Sequence, residues 1–384
     1  MNISLLVGLK NNIAYTKHFY ATTRALYPDI ELVFVSYGST DDTHSWLDSL
    51  SDENLQYHYS TENKTLSDTY NKCIDLATKE FVAFLHNDMV LGNGFAENLV
   101  KEAAADKVLF YKVVEPPIFS DDPHDWKIVK DFGADLDSFQ LGAFRHFSSS
   151  TEKTDSTPTT DPTFFLLTSR STLVKINGLD PLFDPMFCED NDILYRLGMW
   201  GLNFYQSHSA IAYHFVSKTS RFSNDYIHKT KKIETRSNRN FCRKWGFQIN
   251  AVSKQKRQYG LNLKNANKAA LKQLEPFVSR IFTTFDPTDY IAEEQPYTRF
   301  DLLKKFTDQE LTGDDILIYF NTADLNEDNL KKFENLADEL DKRLHSKWFR
   351  LKKRFFFGNR LTIGDLRIKI NHLKTYQHEL IVRN

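Results

Sequence analysis

The chain has 384 residues, of which 41% are hydrophobic and 26% charged, and its formal net charge is −2. This length suits one large α/β domain and a smaller second one, and the composition excludes a mainly disordered chain. The near-neutral charge excludes a global basic field that attracts nucleic acid or anionic lipid. Local basic stretches nevertheless occur at residues 218–257 and 343–369.

The cellular compartment is inferred from the cysteines and the apolar runs. The three cysteines are widely separated and form neither a CxxC pair nor an even disulfide framework. The first residues, MNISLLVGLKNN, lack the basic start and the small-residue cleavage site of a signal peptide. No apolar run reaches the roughly 18 residues of a membrane span. We therefore expect a cytoplasmic protein without a transmembrane segment.

Apolar runs and amphipathic stretches alternate in the first part of the chain, which is typical of βαβ units in a mostly parallel sheet. We predict strands at residues 3–9, 31–36, 55–59 and 81–85, and helices at residues 15–26, around Trp46 and at residues 67–77. In such a sheet, ligands bind at the carboxyl ends of the strands. One edge should therefore carry Lys10, Ser36, Asn63 and Asp88.

The middle of the chain adds a loop and two further elements. Residues 148–163 are rich in Ser and Thr and poor in apolar side chains, which predicts a mobile loop that can serve as a lid. A strand is expected at residues 164–167 and a helix at residues 192–200.

The α/β alternation fades after residue 251, and residues 285–297 have the composition of a linker. We therefore predict a mainly helical C-terminal extension, residues 251–384, behind an α/β domain formed by residues 1–250. Its strongest helical segment has one apolar face, which we expect to pack against the first domain or a second copy of the chain. That face comprises Leu330, Phe333, Leu336 or Ala337, Leu340, Leu344, Trp348 and Leu351.

Three groups of polar residues are the candidates for chemistry. His86, Asn87 and Asp88 follow a predicted strand, the acidic run 189–192 comes about a hundred residues later, and His214 closes the strand-like AIAYH. Each group by itself has an ordinary structural explanation, because acidic residues also terminate strands and cap helices. Their order along the chain is more informative than any one of them.

That order resembles the family-2 glycosyltransferases, which have the nucleotide-binding α/β fold called GT-A. The resemblance covers roughly residues 1–250 and rests on several motifs in the same order and spacing. These motifs are SLLVGLKN, ELVFVSYGSTDDT, ENKTLSDTYNKCIDLATKEFVAFLHNDM, INGLDPLFDPMFCEDNDILYRLGMWG, SHSAIAYHF and NFCRKWG. The predicted fold is therefore a GT-A type, mostly parallel sheet flanked by helices.

The resemblance also implies an activity and its residues. Asp88 falls at the last position of the family's DxD metal motif and His214 at its late histidine, which implies that both bind Mn²⁺ or Mg²⁺. Asp190 falls at the position of the proposed general base, and Glu189 and Asp192 would position the acceptor. Direct attack on the anomeric carbon would invert its configuration.

The donor is expected to be a nucleoside diphosphate sugar, most simply a UDP-sugar. The residues expected to bind it are Gly8, Lys10, Ser36, Asn63, His86 and Asn87. Four sites depart from the family pattern: Ser36-Tyr37 replaces an Asp pair, Gly8 a proline, His86 the first DxD carboxylate, and Lys64-Thr65-Leu66 the glycine-rich turn after Asn63. For His86 we favour packing or a phosphate contact over metal ligation.

The acceptor is expected to be a glycan hydroxyl, and the C-terminal extension to serve packing, homo-oligomerisation or acceptor binding. Two alternatives stay open. The basic stretches favour a hydroxymethylated base in DNA as acceptor, and the altered Asp pair favours a non-catalytic binding module on the same fold.

Overall fold

The computed structural model describes residues 1–118, 122–216, 227–346 and 359–383. The chain forms two compact units, of which unit 1 comprises Met1–Ile233 with Ile381–Asn384, and unit 2 comprises Glu234–Leu380. The chain thus divides at residue 233, earlier than the predicted boundary near 250. Among the described residues, no helix is both long and apolar enough to cross a membrane.

Unit 1 is built on a ten-stranded sheet with the order β3-β2-β1-β4-β9-β6-β10-β5, to which β7 and β8 add at β6 and β10. The strands β1 to β4 run parallel to one another, as do β6 and β10. The strands are β1 Ile3–Leu9, β2 Glu31–Tyr37, β3 Leu55–Ser60, β4 Phe81–His86, β5 Met89–Leu91, β6 Lys107–Glu115, β7 Lys127–Val129, β8 Thr157–Pro158, β9 Leu166–Ser169 and β10 Asn203–His214.

Helices cover both faces of this sheet, so its central strands are apolar on both sides. In β1, Ile3, Leu5 and Val7 enter one hydrophobic cluster while Leu6 enters the other, and all four are fully buried. Each such side chain contributes about 1.5–3 kcal/mol. The helices are α1 Ile13–Leu26, α2 Thr43–Asp48, α3 Leu66–Leu76, α4 Phe95–Glu102, α5 Leu141–Ser150, α6 Arg170–Lys175 and α7 Glu189–Met199, followed by α8 Thr230–Trp245, which crosses the boundary between the units.

The last described residues of the chain belong to unit 1. Arg383 N–H donates to the carbonyl oxygen of Ile176 at 3.1 Å, and the Arg196 Nε–H donates to that of Ile381 at 3.0 Å. Arg196 Nη1 also donates to the carbonyl oxygen of Gly178 at 2.7 Å. Arg196 therefore joins α7, the loop after α6 and the C-terminal residues.

The predicted GT-A type architecture is confirmed for unit 1, with strand and helix boundaries within about two residues over the first four strands. The predicted lid region 148–163 begins in α5 and includes β8, which pairs with β10. None of its residues lines the cavity described below.

Unit 2 contains a six-stranded sheet with the order β13-β12-β11-β14-β16-β15. Its strands are β11 Tyr259–Lys264, β12 Arg280–Phe282, β13 Phe306–Thr307, β14 Ile316–Asn321, β15 Arg360–Ile363 and β16 Leu366–Ile370. Its further helices are α9 Lys268–Leu274, α10 Thr288–Glu294, α11 Glu327–Glu334 and α12 Leu336–His345. The strands β11 to β14 are parallel, and β15 and β16 form an antiparallel hairpin beside β14.

The prediction of a mainly helical C-terminal region is therefore wrong. In the hairpin of β15 and β16, buried or half-buried apolar residues alternate with polar ones, which lowers the local hydropathy and hides the strand signal. The expected linker at residues 285–297 is instead α10 followed by a short 3₁₀ helix, because Pro287 and Pro296 stand at helix starts, where a missing N–H costs nothing.

The apolar helical face predicted at residues 330–351 is divided between α11 and α12, and its members Trp348 and Leu351 lie outside the described residues. Phe333, Leu336 and Leu340 are buried in the hydrophobic cluster of unit 2 itself. The face therefore packs on the sheet of its own unit. The expectation that it packs against the first domain or a second copy of the chain is wrong.

Candidate active site

A cavity of about 220 Å³ opens in unit 1 where parallel strands end. Its walls come from the ends of β1, β2, β4 and β10, the start of α3, and the loop that leads into α7. Its described lining residues are Gly8, Leu9, Lys10, Tyr37, Lys64, Leu66, Thr69, Tyr70, His86, Asp88, Phe164, Pro185, Met186, Phe187, Glu189, Asp190 and His214.

Two histidines and one aspartate converge in this cavity. His86 ends β4, Asp88 follows two residues later, and His214 ends β10. Pairing of β10 with β5 brings the last two together, and the Phe215 N–H donates to the carbonyl oxygen of Asp88 at 3.0 Å. One ligand atom from each of the three side chains lies within 4.8 Å of the others. This arrangement can hold a divalent cation.

Glu115 supports this group from behind. Its Oε1 lies 2.8 Å from Nδ1 of His214, while Nε2 of the same ring lies 3.4 Å from Oδ1 of Asp88. Lys127 Nζ is 3.6 Å from the other oxygen of Glu115, and the Glu115, His214 and Lys127 side chains are all buried. A carboxylate that accepts from Nδ1 orients the ring and directs Nε2 towards a bound metal.

The two histidines carry different charges at neutral pH. Burial, reinforced by the charge of His214, lowers the pKa of His86 to about 4. Burial also disfavours charge on His214, but the carboxylates of Asp88 and Glu115 outweigh it and raise the pKa to about 9. Without metal, His86 is therefore neutral and His214 is an imidazolium held between two carboxylates.

Acidic side chains from the first turn of α7 face the same cavity. Glu189 is only 6% exposed, and burial together with the nearby charge of Asp190 raises its pKa well above the usual value. Asp190 is half-buried and lines the cavity beside it. Asp190 is therefore the more accessible of these two carboxyl groups in the cavity.

The cavity contains seven of the residues predicted from the sequence: Gly8, Lys10, His86, Asp88, Glu189, Asp190 and His214. The other four, Ser36, Asn63, Asn87 and Asp192, do not line it.

Those four side chains have other partners. The Ser36 hydroxyl lies 2.8 Å from that of Ser39, and Asn63 accepts a hydrogen bond from Lys10. Asn87 donates to the Thr16 hydroxyl at 2.8 Å.

Asp192 is fully buried and its Oδ2 lies 3.3 Å from Nη1 of Arg196. Asp192 therefore contacts Arg196 within α7 and does not line the cavity.

The opposite end of the cavity contains residues that the sequence analysis did not select. Tyr37 stands at the carboxyl end of β2, and Lys64 Nζ lies 4.9 Å above its ring. Lys10 Nζ donates to the carbonyl oxygens of Tyr37 and Gly38 at 3.1 and 2.6 Å. A Cβ at Gly8 would lie 3.0 Å from Cγ2 of Thr69, a tight contact that a shift of the Thr69 side chain would have to relieve.

Residues 4–171 match the family model described as glycosyl transferase family 2. The resemblance inferred from the motifs is thus confirmed over these residues. None of the curated proteins matches the chain significantly.

Similar solved structures include three glycosyltransferases at low identity. TarS 1–349 of S. aureus is 13% identical with a TM-score of 0.41, covering 63% of this chain and 70% of that one. The mannosyltransferase PcManGT from Pyrobaculum calidifontis, with GDP-Man and Mn²⁺, is 16% identical with a TM-score of 0.41, covering 62% of each chain. GalNAc-T7, with UDP, GalNAc and Mn²⁺, is 10% identical with a TM-score of 0.42, covering 56% of this chain and 44% of that one.

Proposed function

We propose that unit 1 transfers a sugar from a nucleoside diphosphate donor to an acceptor hydroxyl, with inversion at the anomeric carbon. The observation that carries the proposal is the convergence of His86, Asp88 and His214 with the acidic pair Glu189 and Asp190 in one cavity. The leaving diphosphate needs a cation that stabilises its charge, and the attacking hydroxyl needs a base that accepts its proton. The two groups must lie within a few ångströms of each other.

The donor set of the His86, Asp88 and His214 group fits a divalent cation. It offers one carboxylate and two imidazoles, and His86 is neutral at physiological pH. Such ligands suit Mn²⁺ better than Mg²⁺, which prefers oxygen. The bound cation would act as a Lewis acid for the leaving phosphates. His86 thereby acquires a ligand role in this proposal, although the sequence pattern favoured packing or a phosphate contact.

Asp190 is proposed as the general base. It lines the cavity and is more accessible than Glu189, whose pKa is raised by burial and by the charge of Asp190. Asp190 would accept the proton of the acceptor hydroxyl as that oxygen attacks the anomeric carbon and the diphosphate leaves. Glu189 would donate a hydrogen bond to the acceptor or to the sugar.

The donor is proposed to be a UDP-sugar, bound along Lys10, Tyr37 and Lys64. Tyr37 offers an aromatic ring where the family has a carboxylate, and stacking against a base does not need one. Lys64 lies over the same ring and brings positive charge to the cavity wall. The proposed acceptor is a glycan.

Two alternatives make different predictions. Transfer to a hydroxymethylated base in DNA would make acceptor affinity fall steeply with salt, whereas a neutral glycan acceptor would not. A non-catalytic module would have no use for a cation site beside an accessible carboxylate, and the shared cavity of Asp88, His214 and Asp190 argues against it.

The experiment is a thermal-shift panel of nucleoside diphosphates with and without Mn²⁺. A ligand at a hundred times its Kd stabilises the folded state by about 2.7 kcal/mol, so UDP with Mn²⁺ should raise Tm by several degrees. Asp88→Ala should fold normally and lose the metal-dependent part of this shift. An undiminished Mn²⁺-dependent shift in that variant would remove Asp88 from the proposed metal site.

A further inference from the structure

The sheet of unit 2 has two faces of different character. Along each strand, alternate residues enter the hydrophobic cluster beneath the helices, as Leu261, Ile318 and Ile368 do. The intervening residues lie on the opposite face and are mostly polar, as the pleat requires. They include Lys264 in β11, Tyr319 in β14, Arg367 and Lys369 in β16, and Arg360 and Thr362 in β15.

This polar face forms the floor of a cavity of about 1190 Å³. Five cations line it: Lys264, Arg343, Arg360, Arg367 and Lys369. Within the described parts of the chain, none of the five side chains forms an ion pair or a side-chain hydrogen bond. Residues 347–358, which connect α12 to β15, contain no Asp or Glu that could neutralise them.

Two of these cations are direct cross-strand neighbours. Arg360 in β15 is paired with Lys369 in β16, and Arg367 is paired with Thr362 on the same face. Like charges directly opposite one another destabilise an antiparallel pair. A cluster that costs stability and has no carboxylate partner is better explained by an anionic ligand than by folding.

The other residues of the cavity narrow the class of ligand. Phe282 and Tyr319 offer partly exposed rings against which a sugar can stack, while Glu310, Asp324 and Asp365 can accept hydrogen bonds from hydroxyl groups. Three carboxylates in the same cavity oppose the dense, regular charge of a nucleic acid. They are compatible with a ligand that carries few phosphates and many hydroxyls.

We propose that the polar sheet face of unit 2, centred on Arg360, Arg367 and Lys369, binds the phosphate groups of a phosphorylated carbohydrate. Arg residues suit this ligand because the planar guanidinium matches two phosphate oxygens at once. The site belongs to unit 2 alone and requires neither the cation nor the donor of unit 1.

The test is a titration of the full chain, in EDTA, with an oligomannoside that carries terminal 6-phosphates and with the same oligomannoside without phosphate. EDTA removes the metal-dependent contribution of unit 1. The key variant is R360Q/K369Q, and the matched control is K272Q/K304Q, which removes two exposed cations that already pair with Glu293 and Asp301. Both variants lose the same charge.

We expect the phosphorylated probe to bind and the dephosphorylated probe to bind at least tenfold more weakly. R360Q/K369Q should weaken binding of the phosphorylated probe by about ten- to a hundredfold, because each lost cation removes a charge-assisted contact. Its Tm should equal or exceed that of the wild type, because relief of like-charge repulsion is stabilising. The control should keep its affinity within about twofold.

Three outcomes would overturn the proposal: equal affinity for both probes, an equal loss in the control, or tighter binding of a short oligothymidylate than of the phosphorylated probe. The last would identify the face as a nucleic-acid surface. Asp88→Ala should bind the phosphorylated probe as the wild type does, so failure of the donor site and failure of this site are distinguished.

Discussion

The two units each contain a buried cluster of charged groups, and the clusters are built on opposite principles. In unit 2, the fully buried Glu275 accepts from Arg243 Nη2 at 2.6 Å, from Tyr290 at 2.8 Å and from Lys305. In unit 1, His214 stands between the carboxylates of Asp88 and Glu115. The first cluster is closed by its own partners, whereas the second lines a cavity.

The pKa values express the same difference. Burial alone would raise the pKa of Glu275, but Lys305 and Arg243 overcome it and hold that pKa well below the usual range. In the cavity of unit 1, burial and a neighbouring carboxylate instead raise the pKa of Glu189 well above its usual value. Perturbed groups are common at functional sites and in structural ion pairs alike. Access to a cavity, more than the size of the shift, distinguishes the two.

The largest expected effect is on catalysis. Asp190→Asn keeps the size of the side chain but cannot take a proton, so turnover should fall by about 10²- to 10⁴-fold while donor affinity changes little. Turnover with a confirmed acceptor and a donor titration of the same variant check this. A fall of less than about tenfold would exclude Asp190 as base, and a collapse of donor binding would assign it to the donor site.

The next largest effect is on stability. Glu275→Gln leaves Arg243 and Lys305 buried with less compensation, which should cost about 3–5 kcal/mol. Because the folded pKa of Glu275 is depressed, its contribution is present above the unfolded value of roughly 4.3 and is lost as pH falls through the folded one. The variant should therefore differ most from wild type near neutrality and progressively less below about pH 4.

Calorimetry at several pH values checks this, with Asp301→Asn as control because its partner Lys304 is exposed and such pairs contribute about 0–1 kcal/mol. A ligand of unit 1 identifies which transition belongs to which unit. Equal effects of the two substitutions would mean that the buried cluster is no more important than a surface pair.

A smaller effect, on metal affinity, is expected for Glu115, which contacts the proposed metal ligand His214. Glu115→Gln keeps an acceptor for Nδ1 of His214 but loses the charge, and such partners are worth about 10- to 100-fold in metal affinity. Calorimetric titration with MnCl₂ alone measures it. The control is Glu97→Gln, which removes a carboxylate bonded to Tyr27 instead. An affinity unchanged by Glu115→Gln would reduce Glu115 to a packing residue.

The smallest effect is expected at Glu189. Glu189 is proposed to donate a hydrogen bond and not to accept the proton, and Glu189→Gln keeps a donor of the same size, so turnover should fall by less than about tenfold, well short of the loss in Asp190→Asn. Parallel turnover measurements on the two variants decide the assignment. Equal losses would indicate that Glu189 and Asp190 act as one unit. A larger loss at Glu189 would indicate that Glu189, and not Asp190, is the general base.

The sequence predicted unit 1 better than unit 2 for a physical reason. Strands buried on both faces, such as Ile3–Leu9, are continuous apolar runs between clear turns. The strand Leu366–Ile370, with the sequence LRIKI, buries only every second side chain, and two basic residues mask it.

The sequence predicted the order of the motifs that form the site, but not which of their side chains enter the cavity. Which side chain at a strand end enters the cavity depends on the pleat: at the end of β2, Tyr37 faces the cavity, whereas Ser36 next to it does not. Glu115 ends β6 as His86 ends β4, so its position at a strand end could have identified it as a candidate site residue. Its bond to His214 joins residues 99 positions apart, which no local pattern reveals.

The hydrogen bonds of Arg196 to the end of the chain have a consequence for synthesis on the ribosome. Ile381 and Arg383, which bond to Arg196 and to Ile176, are translated after the whole of unit 2. The hydrogen bonds that join residues 381–383 to the loop after α6 and to α7, the helix that carries Glu189 and Asp190, therefore form only after unit 2 has been translated. A nascent chain therefore contains all the strands of this cavity before α7 acquires its last hydrogen bonds, those to residues 381–383.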